Sequence, residues 1–94
     1  MIDVERTKSG DPFEFRVTVK QSGSQTRHTV TMQQATYEKL TGGRVAPEDC
    51  IRAAFEFLLQ REPKESILSS FDVTVIGRYF PDFEHQLGEY LPHS

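Results

Sequence analysis

From Phe13 to Lys20 apolar and polar side chains alternate without a break: Phe13, Phe15, Val17 and Val19 against Glu14, Arg16, Thr18 and Lys20. Successive side chains of a strand point to opposite sheet faces, so this pattern predicts a half-buried strand over about 13–20. Gln21-Ser22-Gly23-Ser24 follows, and Gly23 takes positive φ without steric cost. With Ser22-Gly23 as a two-residue loop, a second strand over about 25–32 falls into register. Val19 then lies opposite Thr26, Val17 opposite His28, Phe15 opposite Val30 and Phe13 opposite Met32. A slip of one residue would mix the two faces. The polar face becomes Glu14, Arg16, Thr18, Lys20, Gln25, Arg27, Thr29 and Thr31. Residues 1–11 are polar and end at Gly10-Asp11-Pro12, which reads as a flexible arm and a turn. Residues 12–91 read as a single domain.

Helical periodicity takes over after the hairpin. Thr31 with Gln34 fits a capping box. A short helix is predicted over about 33–41, with Tyr37 and Leu40 toward the core and Gly42-Gly43 as its C-terminal stop. A second helix is predicted over about 47–62. Pro47 suits a first helical position, and Glu48 and Asp49 complement the positive end of the dipole. Ile51, Ala54, Phe55 and Leu58 form one apolar stripe, which Phe57 and Leu59 widen to two packing sides. Pro63 stops this helix. Residues 64–71 have room for one helical turn. Over Asp72–Ile76 the β-branched content reads as strand. The 3-and-4 spacing of Val73, Ile76, Phe80, Phe83 and Leu87 reads as helix. The helical reading, with Asp72 as N-cap, gives helices over about 72–79 and 82–90. A hairpin followed by three or four helices, without βαβ alternation, is an α+β class.

Several function classes are excluded or left without support. At 94 residues with 36% hydrophobic and 27% charged side chains, the chain is neither disordered in composition nor large enough for more than one small core. No apolar run approaches the roughly 20 residues of a membrane helix, and Met1–Glu5 has no signal-peptide character. One cysteine, Cys50, forms no internal disulfide, which points to a cytoplasmic protein. His28, His85 and His93 lack partners at metal-ligand spacing. His28 falls on the apolar hairpin face as a core residue, and His93 lies in the terminal tail. Cys50 reads as a core residue near a helix start rather than a reactive thiol. Gly42-Gly43-Arg44 is not a phosphate loop. The acid pairs Glu48-Asp49 and Asp82 with Glu84 sit at helix starts, where the dipole accounts for them. No catalytic constellation, metal site or cofactor motif emerges, so a non-enzyme is expected.

Two surfaces remain. Arg16, Lys20, Arg27, Thr29 and Thr31 on the polar hairpin face have the chemistry to read base edges and hold phosphates. Basic side chains do outnumber acidic ones in residues 1–46, seven to five, whereas residues 47–94 hold four against nine. That balance lacks the clear basic excess of a dedicated nucleic-acid binder. The second surface is aromatic: Phe71, Tyr79, Phe80, Phe83 and Tyr90 crowd the last quarter. Most of these rings are expected in the core, and a surplus that so small a domain does not hide would form a partner or self-association patch, with Tyr79, Phe80, Phe83 and Tyr90 as its candidates.

The stretch Arg27–Glu62 resembles the ribbon-helix-helix DNA-binding family. It carries the strand "RHTVTM", a helix with "YEKL", a glycine turn and "APEDCIRAAFEFLLQRE". The resemblance implies a strand paired with its twin from a second chain, with the ribbon in the major groove. It implies base reading by Arg27, Thr29 and Thr31, and a phosphate clamp near Pro47 and Glu48. Residues 61–83 resemble small bacterial proteins, which implies no mechanism. The favoured expectation is a small non-catalytic binding or regulatory protein acting through a protein partner or its own copy. A dimeric ribbon-helix-helix-like regulator is the alternative, and neither requires a membrane.

Overall fold

A computed structural model describes residues 1–92. It is an α+β domain with a four-stranded mixed sheet in the order β1-β2-β3-β4. Strands β2 (Phe13–Gln21) and β3 (Ser24–Met32) form the expected hairpin in the expected register, from Phe13 opposite Met32 to Gln21 opposite Ser24. Ser22 and Gly23 both have positive φ, 55° and 78°. Two left-handed central residues give the turn whose twist matches the flanking strands.

The sheet is wider than a hairpin because two further strands join it. Residues 1–11, expected as a flexible arm, contain β1 (Ile2–Lys8), antiparallel to β2. Its apolar alternation stops after Ile2 and Val4, because Arg6 takes the third position facing the core. The Arg6 guanidinium is satisfied by Glu48 at the start of helix α2, through Nε–Oε2 at 2.9 Å and Nη2–Oε1 at 2.6 Å. At the other end β4 (Ser70–Asp72) runs parallel to β3. Three residues are too few for a period to show in sequence.

Helix α1 (Gln34–Thr41) ends at Gly42, whose φ of 68° lets its N–H reach Glu38 O. The Thr31–Gln34 capping box does not form: the Thr31 hydroxyl donates to Asp72 Oδ1 at 2.7 Å. Asp11 Oδ1 accepts from the Gln34 N–H instead, at 3.1 Å. Tyr37 and Leu40 are half-buried at the core margin rather than inside it. Helix α2 (Pro47–Leu59) lies over the apolar sheet face and ends before residue 62. Its Ile51, Ala54, Phe55 and Leu58 are buried with Phe15, Val17, Val30 and Met32. The region 72–79 resolves into both of its readings. Asp72 closes β4 and is not the expected N-cap: Val73 is, and Asp72, one residue earlier, accepts through Oδ2 from the Thr74 N–H and hydroxyl at 3.1 and 2.7 Å at the start of helix α3 (Thr74–Tyr79). The last expected helix is α4 (Phe83–Gln86) followed by a 3-10 turn over Leu87–Glu89. A second 3-10 turn, Lys64–Ser66, supplies the single helical turn expected in 64–71. Among the described residues no helix is long and apolar enough to cross a membrane.

Candidate functional site

The nucleic-acid candidates Arg16, Lys20, Arg27, Thr29 and Thr31 do share the sheet face opposite α2, since each pairs in register with polar partners. Strand β1 changes the charge of that face. It brings Asp3 opposite Thr18 and Glu5 opposite Arg16. Arg16 Nη1 pairs with Glu5 Oε1 at 3.1 Å, and Lys20 Nζ lies 3.9 Å from Asp3 Oδ2. The carboxylates of Asp3, Glu5, Glu14 and Asp72 stand against the cations Lys8, Arg16, Lys20 and Arg27, so the face has no basic excess. Thr31 is tied to Asp72, and of the four cations Lys8 and Arg27 make no ion pair among the described residues.

Two further observations bear on what the ribbon-helix-helix resemblance implies. Strand β3 has β2 on one edge and β4 against Thr29–Thr31 on the other, where a twin strand would sit. The start of α2 is occupied by charge pairs from this chain: Glu48 with Arg6, and Asp49 Oδ1 with Arg52 Nη1 at 3.3 Å. The hydrogen bonds from Arg6 hold the Glu48 carboxyl below the usual carboxylate range against the opposing effect of burial.

Buried chemistry-bearing groups are engaged inside the fold. The His28 ring is buried, with Nδ1 2.8 Å from Leu68 O and Nε2 2.8 Å from Thr26 Oγ1. A carbonyl only accepts, so Nδ1 carries a proton and donates to Leu68, tying β3 to the segment before β4. The Cys50 thiol is 3.8 Å from Met32 Sδ, and burial pushes it up to about 12. The buried Lys64 donates to Glu65 Oε2 at 2.7 Å, which draws that carboxylate below its ordinary range. Nothing in the sequence flags Lys64, because Pro63-Lys64-Glu65 has the composition of a solvated turn. His93 lies outside the described residues. Within them no cluster of three His, Cys, Asp or Glu side chains is placed to hold a metal.

The aromatic candidates split. Phe83 is core, not surface: its ring centroid is 5.1 Å from that of Phe57. Phe80 and Tyr90 are half-buried edge-on to the same ring, at 5.8 and 6.2 Å. The Arg61 guanidinium stacks over Phe57 at 3.6 Å. Phe57 is thus the peg on which the C-terminal segment hangs, with Phe83 buried against it and Phe80 and Tyr90 each keeping an exposed edge. Tyr79 alone is open, at 68% exposure, and Leu68, at 48%, is open as well. Both border a groove of about 360 Å³ between the end of α2, β4 and α3. Leu58, Ile67, Phe71, Val75, Ile76 and Phe80 form its apolar walls, and Glu62 is its only carboxylate. Of this lining the sequence names Tyr79 and Phe80 as candidates and does not name Leu68 or Glu62. Their signal is the apolar pair Ile67-Leu68 ahead of polar Ser69-Ser70, which no periodicity absorbs.

No protein-family model matches the chain, and no curated protein or solved structure is significantly similar to it.

Proposed function

We propose that this is a small non-catalytic binding or regulatory protein that works through protein contacts, and that the groove bordered by Tyr79 and Leu68 is its contact surface. The observation that carries this reading is the position of the two exposed side chains. Single exposed apolar residues are ordinary on a protein surface. Here two of the large exposed ones flank the same apolar groove, so their hydration and that of its walls would be relieved together by one partner. Of the other candidate aromatics, Phe83 and Tyr90 pack on Phe57 outside the groove lining, while Phe80 packs on Phe57 and lines the groove as well. A lone, sequestered thiol suits a cytoplasmic setting. DNA binding through Arg27, Thr29 and Thr31 is the weaker reading, because β1 neutralises their face and β4 takes the strand edge a twin would need.

A photo-reactive phenylalanine analogue placed at position 79, and separately at position 27, tests this in the native cell. Covalent protein adducts are expected at 79 and not at 27. An adduct of twice the chain mass identifies self-association, and a different mass identifies a partner. Adducts only at 27, or none at 79, overturn the proposal.

A further inference from the structure

The geometry points to strand addition as the way this groove binds: an extended peptide joins the free edge of β4 as a fifth strand, seats apolar side chains in the groove and sets a lysine or arginine against Glu62. This rests on the groove being the contact surface. The edge comes first. The Thr29 N–H donates to Ser69 O at 2.8 Å, and the Val73 N–H donates to Thr31 O at 2.9 Å. In a parallel ladder the residues that bond the neighbour alternate with those that do not. Residues 69, 71 and 73 therefore give their main-chain groups to β3, while Ser70 and Asp72 turn theirs outward. The sheet ends at β4, and neither outward-facing residue has a backbone partner from another element among the described residues. Unpaired edge groups are a ready template for another strand.

The two sheet edges differ in how they are guarded. Strand β1 carries Asp3, Glu5, Arg6 and Lys8, and charged side chains blunt an edge against pairing. The approach to β4, Leu68 to Phe71, carries no charge. Asp72 is the one acid on the strand, and its carboxylate is taken up by Thr31 and Thr74.

The groove lies under this same edge. Phe71 pairs with buried Val30, and its ring is 6.1 Å from that of Phe55, so it faces the α2 side of the sheet and forms the inner wall. Every second side chain of an added strand would fall on that side. A volume of about 360 Å³ is at the small end for ligand pockets, which suits one or two side chains rather than a whole cofactor. Main-chain bonds supply affinity in this mode and the alternate pockets supply specificity. Glu62 sets the charge: it makes no side-chain hydrogen bond or ion pair among the described residues, and it is the one charged side chain that lines the groove. A carboxylate so placed favours a cation that brings its own apolar stem, as lysine and arginine do.

A display library of ten-residue peptides panned on the full chain tests the proposal, followed by fluorescence anisotropy on the enriched peptide. Enriched sequences are expected to carry apolar residues two apart and a nearby lysine or arginine. Glu62→Gln, checked for an unchanged urea midpoint, should weaken binding about tenfold. N-methylation of peptide amides in one alternating register should weaken it at least about tenfold, while the other register has little effect. No enrichment, or equal sensitivity of the two registers, overturns strand addition. If binding ignores N-methylation but is lost in Tyr79→Ser, strand addition fails and the contact surface stands. If crosslinking fails at position 79, the surface itself falls.

Discussion

The open face of the sheet and the groove under β4 are both exposed, and they handle exposure in opposite ways. On the open face Arg16 meets Glu5, Lys20 meets Asp3, and Thr31 meets Asp72. Under β4 the Tyr79 ring is mostly in solvent, the Glu62 carboxylate is unpaired among the described residues, and the outward main-chain groups of β4 lack a strand. Polar residue types on a surface are weak pointers to binding, because neighbouring strands satisfy one another. Unmet chemistry is the better pointer, since a partner that meets it gains free energy the isolated chain leaves unrealised.

The largest way to break the contrast is through Phe57. Phe57→Ala removes the ring on which Phe80, Phe83 and Tyr90 pack, and should lower stability by about 3–5 kcal/mol in urea unfolding. Tyr79→Ser, one residue from Phe80 but outside that cluster, should change stability by less than about 0.5 kcal/mol. Similar losses in the two variants would mean that Tyr79 is structural and the groove is not a prepared surface.

A middle-sized effect sits at the Arg6–Glu48 pair, which binds β1 to the core and so neutralises the open face. Arg6→Ala should cost about 1–2 kcal/mol, as a partly buried, doubly hydrogen-bonded pair is worth more than a solvated one. The Glu48 carboxyl titrates below its usual 4.5 in the folded chain. Its pairing therefore contributes fully above about pH 4.5 and is lost as pH falls through the lower folded value. Urea midpoints taken from pH 6 to 3 should fall less steeply in Glu48→Gln than in the parent chain. Parallel slopes would show that the pair adds nothing to folding.

The smallest effects belong to the open face. Arg16→Ala and Arg27→Ala should each alter stability by less than about 0.5 kcal/mol, because the Arg16–Glu5 pair is exposed and Arg27 makes no ion pair among the described residues. Neither variant should change retention on mixed genomic DNA at low salt. A salt-sensitive retention that drops in Arg27→Ala would reverse the comparison and restore the DNA-binding reading.

How much of this was legible in sequence varied with element length. The β2–β3 register could be read directly, because nine paired positions with one greasy side allow a single alignment. Helix α2 was equally plain, with thirteen residues and a continuous stripe. Strand β1 was hidden because Arg6 interrupts the alternation and is satisfied only by Glu48, far along the chain. Strand β4 was hidden by its brevity. Which rings of the aromatic tail are core and which are surplus was not legible, because composition shows how many rings there are and not how many fit around a single buried partner.

The amino-acid order alone determined the hairpin, its turn and the burial of Ile51, Phe55 and Leu58, since periodicity and turn chemistry act between near neighbours. Only the tertiary structure decided that β1 and β4 flank the hairpin. Only it decided that the charges of the open face cancel, and that Tyr79, Leu68 and Glu62 border one groove. Those outcomes depend on residues distant in sequence coming together, and local periodicity carries no record of such meetings.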